Sequence, residues 1–127
     1  MQVLLPHLLP RCEEALLAAE GLLATAKDSV ARLVAPEGKL ARAALDRHQR
    51  AAHALAWYAT YVEALRQMAR WARRLEHQKR LGDIEKLILQ AAFGEYLVQL
   101  AGGVPMSQNE IARPYDMGLD DSDSGGL

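Results

Sequence analysis

Four histidines, one cysteine, paired carboxylates and a row of arginines are the residues of this sequence with chemistry to offer. His7, His48, His53 and His77 are the candidates for metal binding or proton transfer. Two ligands on one helical face stand three or four residues apart, and no two of these histidines do. No His-Glu-x-x-His occurs, so no metal site is expected, and the histidines read as surface or partly buried side chains. Cys12 would need a neighbouring base to act as a nucleophile, and nothing local supplies one. Glu13 and Glu14 read as residues of a helix start rather than as a hydrolytic carboxylate pair.

Arg66, Arg70, Arg73, His77 and Arg80 follow steps of four, three, four and three, which places them on one helical stripe. A stripe of this kind can meet the phosphate of a nucleotide or of coenzyme A, or an acidic partner surface. The plainer alternative is a solvated face. Nucleic acid is not expected, because the formal net charge is -1. Trp57, Tyr58, Tyr61, Trp71 and Tyr96 could line a pocket, but aromatics at helical spacing more often fill a core. Gly102-Gly103 has no phosphate-loop surroundings and reads as a helix stop.

The elements that position these residues are helical. Half of the 127 residues are hydrophobic, dominated by Ala and Leu, and only 6% are aromatic, a mix that favours helices over strands. The length suits one domain with a modest core. Asp116, Asp120, Asp121 and Asp123 carry four negative charges at one end, which leaves +3 on residues 1–115. A single cysteine forms no internal disulfide and suits a reducing, cytoplasmic location. The apolar start from Met1 to Pro10 lacks a basic region and is interrupted by Pro6, so it does not read as a signal peptide. No stretch approaches the roughly 18–20 uninterrupted apolar residues that span a bilayer.

A first helix is expected over about 10–35, with Pro10 at its start and Leu16, Leu17, Leu23, Val30, Leu33 and Val34 recurring along it. Pro36 and Gly38 break it. A second runs over about 39–80 as a central spine or a bent pair. It carries one stripe of Leu55, Tyr58, Val62, Leu65, Ala69 and Ala72, and another of Ala54, Trp57, Tyr61, Leu65, Met68, Trp71 and Leu75. Gly82 then ends the spine. Asp83 is the expected N-cap of a third helix over 83–101, with Leu87, Ile88, Ala91, Leu97, Val98 and Leu100 as core candidates and Gly94 inside. Gly102 or Gly103 is expected to take positive φ. Ser107 and Glu110 predict a capping box for a short turn near 108–112, stopped by Pro114. Residues 118–127 read as an acidic, Gly/Ser-containing tail or linker after a helical domain over 1–117. The expected fold is all-α: an antiparallel bundle of three main helices plus a short C-terminal helical turn, with no strand pattern.

The run Ala54–Met68 (ALAWYATYVEALRQM), followed by Gly94–Pro114 (GEYLVQLAGGVPMSQNEIARP), resembles the N-terminal helical region of certain bacterial acyl-CoA dehydrogenase family proteins. In those proteins the segment precedes the flavin-binding catalytic domains. The resemblance covers most of residues 45–119. A second similarity joins Gln99-Leu-Ala-Gly-Gly103, with Ser107, Arg113, Asp116 and Leu119, to the Gln-x-x-Gly-Gly segment of the family's C-terminal bundle. That segment lies near the flavin diphosphate across a subunit interface. The resemblance thus implies Gln99, Gly102 and Gly103 as cofactor-contact residues. It departs from the family in the spacing to Arg113, one residue short, and in Val104-Pro105, which replaces the usual glycine and aromatic context. The family's catalytic glutamate and its β-barrel domain have no counterpart here.

The resemblance therefore implies an accessory helical module of an acyl-CoA dehydrogenase-like flavoprotein, oligomerising or docking onto the catalytic domain and not catalytic by itself. FAD would be held through that partner domain rather than by this chain. The expected partners are a second copy or an acyl-CoA dehydrogenase catalytic domain, with no nucleic acid and no membrane. Arg66, Arg70, Arg73 and Arg80 are the expected anion or partner contacts. The alternative, from another class, is a free-standing helical dimerisation or protein-interaction protein without flavin or acyl-CoA binding.

Overall fold

A computed structural model describes residues 3–127; Met1 and Gln2, part of the apolar start, lie outside the described residues. The architecture is built around α3, Gln49–His77. Its buried line is Ala51, Ala54, Tyr58, Val62, Leu65, Ala69 and Ala72. Alanines at both ends let a neighbouring helix come close, while the larger residues between them fill the middle. That neighbour is α1, Leu8–Val34, which buries Leu8, Leu9, Cys12, Ala19, Leu22, Ala26 and Val30. Ion pairs join residue 73 to residue 13 and residue 66 to residue 20, so α1 and α3 are antiparallel. α4, Asp83–Gly102, returns along α3, with Tyr58 of α3 reaching Leu100 and Tyr61 reaching Gln99. The all-α bundle of three long helices is what the sequence predicts.

The local differences have physical reasons. α1 begins at Leu8, with His7 in the left-handed region (φ 54°), so Pro10 sits inside the first turn, where its missing N–H still breaks no bond. The first turn holds no acid, because Glu13 and Glu14 fall beyond it. Of the leucines expected in the core, Leu17 is 69% exposed, while Leu16, Leu23, Leu33 and Val34 flank the core. Ala19 and Ala26, fully buried, also belong to the inner face, which the Leu/Val periodicity overlooks. The expected spine is a bent pair: α2, Arg42–Arg47, and then α3. His48 (φ -117°, ψ 29°) makes the bend between them. α3 stops at His77, with Lys79 rather than Gly82 in left-handed space (φ 56°).

The largest correction concerns α4. Asp83 is its first residue, Gly82 holds the N-cap position, and no side chain caps it. The buried residues are Leu89, Phe93 and Leu100. Leu87, Ile88 and Val98, expected in the core, are 41%, 49% and 71% exposed, and Ala91 is exposed too. α4 is apolar on two opposite sides, so periodicity alone does not say which side the bundle covers.

The segment after α4 is not a helical turn at 108–112. It is a small antiparallel hairpin, β1 Val104–Pro105 against β2 Ile111–Ala112, pairing Val104 with Ala112 and Pro105 with Ile111. Ser107 and Glu110 make no capping box; the Glu110 carbonyl instead accepts from the Met106 and Ser107 amides at 2.8 and 3.2 Å. Pro105 disfavours a helical conformation at Val104, and β-branched Val104 and Ile111 suit extended backbone. The short C-terminal helical turn lies further on, as a 3₁₀ turn over Pro114–Met117. The amide of the preceding residue, Arg113 N–H, donates to the Asp116 carboxylate at 2.8 Å. Within the segment read as an acidic tail, Leu119 is buried and Leu127 packs against the core. Asp121–Ser124 there forms one helical turn, α5, capped by Asp120.

Candidate functional site

The Gly-Gly break is set by residues on three elements. The Tyr58 hydroxyl lies 2.8 Å from the Leu100 carbonyl and 3.2 Å from the Ala112 carbonyl, tying the end of α4 and strand β2 to α3. Burial, with Asp116 adding to it, pushes the Tyr58 pKa up, so the phenol keeps the proton it donates. Gly103 has φ 144°, the positive φ expected at this break, and its N–H donates to the Gln99 carbonyl at 2.7 Å. A Cβ on Gly103 would run into Ile111 Cγ2 and come within 3.3 Å of Arg113 Cγ. The hairpin thus returns across a position that has room only for glycine. Gly102, the last residue of α4, is exposed, and nothing lies within 4 Å of where its Cβ would stand.

Gln99 is half-buried. Its Oε1 accepts from the Tyr61 hydroxyl at 2.8 Å, and its Nε2 donates to Glu95 at 2.8 Å. Tyr61 stacks on Tyr96 with ring centroids 4.4 Å apart. Tyr61 and Gln99 thereby lock α3 to α4. Both ends of the Gln99 amide are engaged inside the chain, and among the described residues no buried side-chain polar atom is left unpaired. Of the three expected cofactor contacts, Gln99 and Gly103 are half-buried and Gly102 is exposed.

The arginine stripe is divided by its partners. Arg66 Nε donates to Glu20 at 2.9 Å and also pairs with Glu63; Arg73 pairs with Glu13 and with Glu76. The hydrogen bond from Gln67, then the one from Arg66, holds the Glu63 carboxyl below its ordinary value. Arg66 and Arg73 therefore join α1 to α3. Arg70 and Arg74 have no carboxylate partner among the described residues. They line a groove of about 660 Å³ between the two helices, together with Arg66, Arg73, His77 and Leu17. Arg80 lies in the α3–α4 connection and does not line this groove. The groove faces α1, whereas Tyr61 and Gln99 lie toward α4. The structure does not bring the two sets of predicted contact residues together.

A second concavity, about 770 Å³, opens between the α2–α3 bend and the hairpin, lined by Asp46, Arg50, His53, Met106 and Glu110 among others. Sequence reasoning missed it. Arg50 links its walls, reaching Asp116 at 3.0 Å and the Ile111 carbonyl at 3.1 Å. A pair 66 positions apart leaves no local signal. His53 Nε2 accepts from the Trp57 indole at 3.1 Å. Among the described residues, no group of three His, Cys, Asp or Glu side chains could hold a metal. Burial, with Glu13 beside it, pushes the Cys12 thiol up to about 11, which leaves it unreactive at neutral pH. Among the described residues, no helix is long and apolar enough to cross a membrane.

No family model matches the chain. It is 52% identical over 119 residues to (2S)-methylsuccinyl-CoA dehydrogenase of Cereibacter sphaeroides. The match covers 94% of this chain and 22% of that protein, so the chain spans less than a quarter of the curated relative's length. The match to part of a dehydrogenase that acts on a CoA ester bears out the family resemblance read from the sequence.

Proposed function

We propose that the chain is a non-catalytic helical module of an acyl-CoA dehydrogenase-like flavoprotein and acts by docking onto the part of that protein that holds FAD and does the chemistry. The identity to a dehydrogenase over 94% of this chain, but only 22% of that enzyme, carries this reading. One feature supports it. The Gln99–Gly102–Gly103 edge has open space only at Gly102, which suits contact with a second surface better than enclosure of a cofactor. The cytoplasm is the location in keeping with this role.

The test is a titration of the chain with FAD, with an acyl-CoA, and with the relative's polypeptide lacking its matched segment. The expected result is binding to the polypeptide and none to either small molecule alone. A colourless, symmetric dimer that ignores all three would support the free-standing dimerisation protein instead.

A further inference from the structure

We infer that the outer face of α4 is the docking surface and that its occupant is the remainder of the longer dehydrogenase polypeptide; this rests on the function proposed above. The face runs through Ile84, Leu87 and Ile88 (three and four residues on from Ile84), Ala91, and Val98 two turns further along. Ile84 and Val98, its two ends, are each 71% exposed. It lies opposite the buried line of Leu89, Phe93 and Leu100. A helix apolar on both sides belongs between two layers, and the bundle supplies only one. Gly94 sits in the flank of this face, and nothing lies within 4 Å of where its Cβ would stand, which leaves room for close approach. The one charge on the face is Glu95, already accepting a hydrogen bond from Gln99. A partner surface that is apolar and weakly charged fits it.

Size and connection favour the tethered occupant over a second copy. From Ile84 to Val98 a helix rises about 21 Å. A stripe of that length covers roughly a few hundred Å² at most, against about 800 Å² per partner in a stable free-standing interface. A tethered partner needs less, because linkage supplies an effective concentration in roughly the millimolar range. The matched segment of the relative is covalently joined to the rest of that protein, of which it makes up only 22%.

The test uses the 127-residue chain and the relative's polypeptide lacking its matched segment, accepted as folded on a cooperative melt. Ala91→Glu and Val98→Glu on α4 are compared with Leu40→Glu, a 67% exposed apolar position in the α1–α2 connection. All three variants must melt like the parent chain. Sedimentation of the labelled chain should show about tenfold or more loss of affinity for the two α4 variants and less than about twofold for Leu40→Glu. Where the shortened polypeptide does not fold, this chain replaces the matched segment in the full-length relative. There the α4 variants should release it to limited proteolysis and Leu40→Glu should not. Parent-like binding by both α4 variants overturns the inference while the docking function stands. No binding by the parent chain to a folded partner overturns both. Self-association of the parent chain, abolished by the α4 variants, overturns the tethered occupant in favour of a second copy.

Discussion

The α1–α3 interface and the α4 helix put their apolar residues to opposite uses. Between α1 and α3, Ala19 and Ala26 on one helix and Ala54 and Ala72 on the other are buried to zero exposure, and the rim is closed by Arg66–Glu20 and Arg73–Glu13. Each helix buries one apolar stripe, with Leu17 of α1 the large apolar residue left exposed on the pair. α4 buries Leu89, Phe93 and Leu100 and leaves Ile84, Leu87, Ile88 and Val98 in water. The first surface is complete within the chain; the second has apolar residues left over. The difference separates residues that hold this bundle together from residues available to something else.

The comparison breaks most visibly if the two kinds of leucine and valine behave alike. Leu65→Ala, at 0% exposure, should lower stability by about 2–5 kcal/mol. Val98→Ala, at 71% exposure, should stay within about 0.5 kcal/mol. Urea unfolding of both variants checks this, and equal losses would mean that α4 is covered on both sides.

Tyr58→Phe comes next. It removes the one hydroxyl shared by the Leu100 and Ala112 carbonyls and should cost about 1–3 kcal/mol. Hydrogen exchange should then rise first in the hairpin and the last turn of α4, with α1 little affected. Uniform acceleration would deny Tyr58 its role as the local tie.

The glycines sharpen the distinction at one spot. Gly103→Ala should cost about 1–3 kcal/mol, because φ 144° is strained for alanine and its Cβ meets Ile111. Gly102→Ala should be neutral or stabilising by up to about 1 kcal/mol, since it is helical with open space around it. Thermal melts of the pair decide between them. A loss of partner binding in Gly102→Ala without a loss of stability would mark the edge as a contact.

The smallest effect is expected at the rim. Arg73→Met should change stability by about 0–1 kcal/mol, because the Arg73 and Glu13 side chains are 41% and 39% exposed and their pairing is screened by salt. Arg70→Ala should leave stability unchanged, since no carboxylate among the described residues partners it. If Arg70 contacts an anionic partner, the salt dependence of binding falls in that variant alone. Melts and binding titrations at low and high salt measure both.

By itself the sequence determined the helical class, the breaks at Pro36–Gly38 and at Gly102–Gly103, and the main buried stripe of α3 from Tyr58 to Ala72. These features rest on interactions within a few residues: periodicity, missing amide donors and backbone freedom. It also determined the family resemblance, through the wording of residues 54–68 and 94–114. Only the tertiary structure decided which side of α4 is covered, because both sides are apolar and only the position of α1 and α3 distinguishes them. The same holds for the hairpin at Val104–Ala112, whose pairing and Tyr58 tether join residues distant in the chain. The arginines divide for the same reason. Arg66, Arg70 and Arg73 share one stripe in the sequence, but Glu13 and Glu20, brought there by the antiparallel packing of α1, engage two of them and leave Arg70 without a carboxylate partner among the described residues.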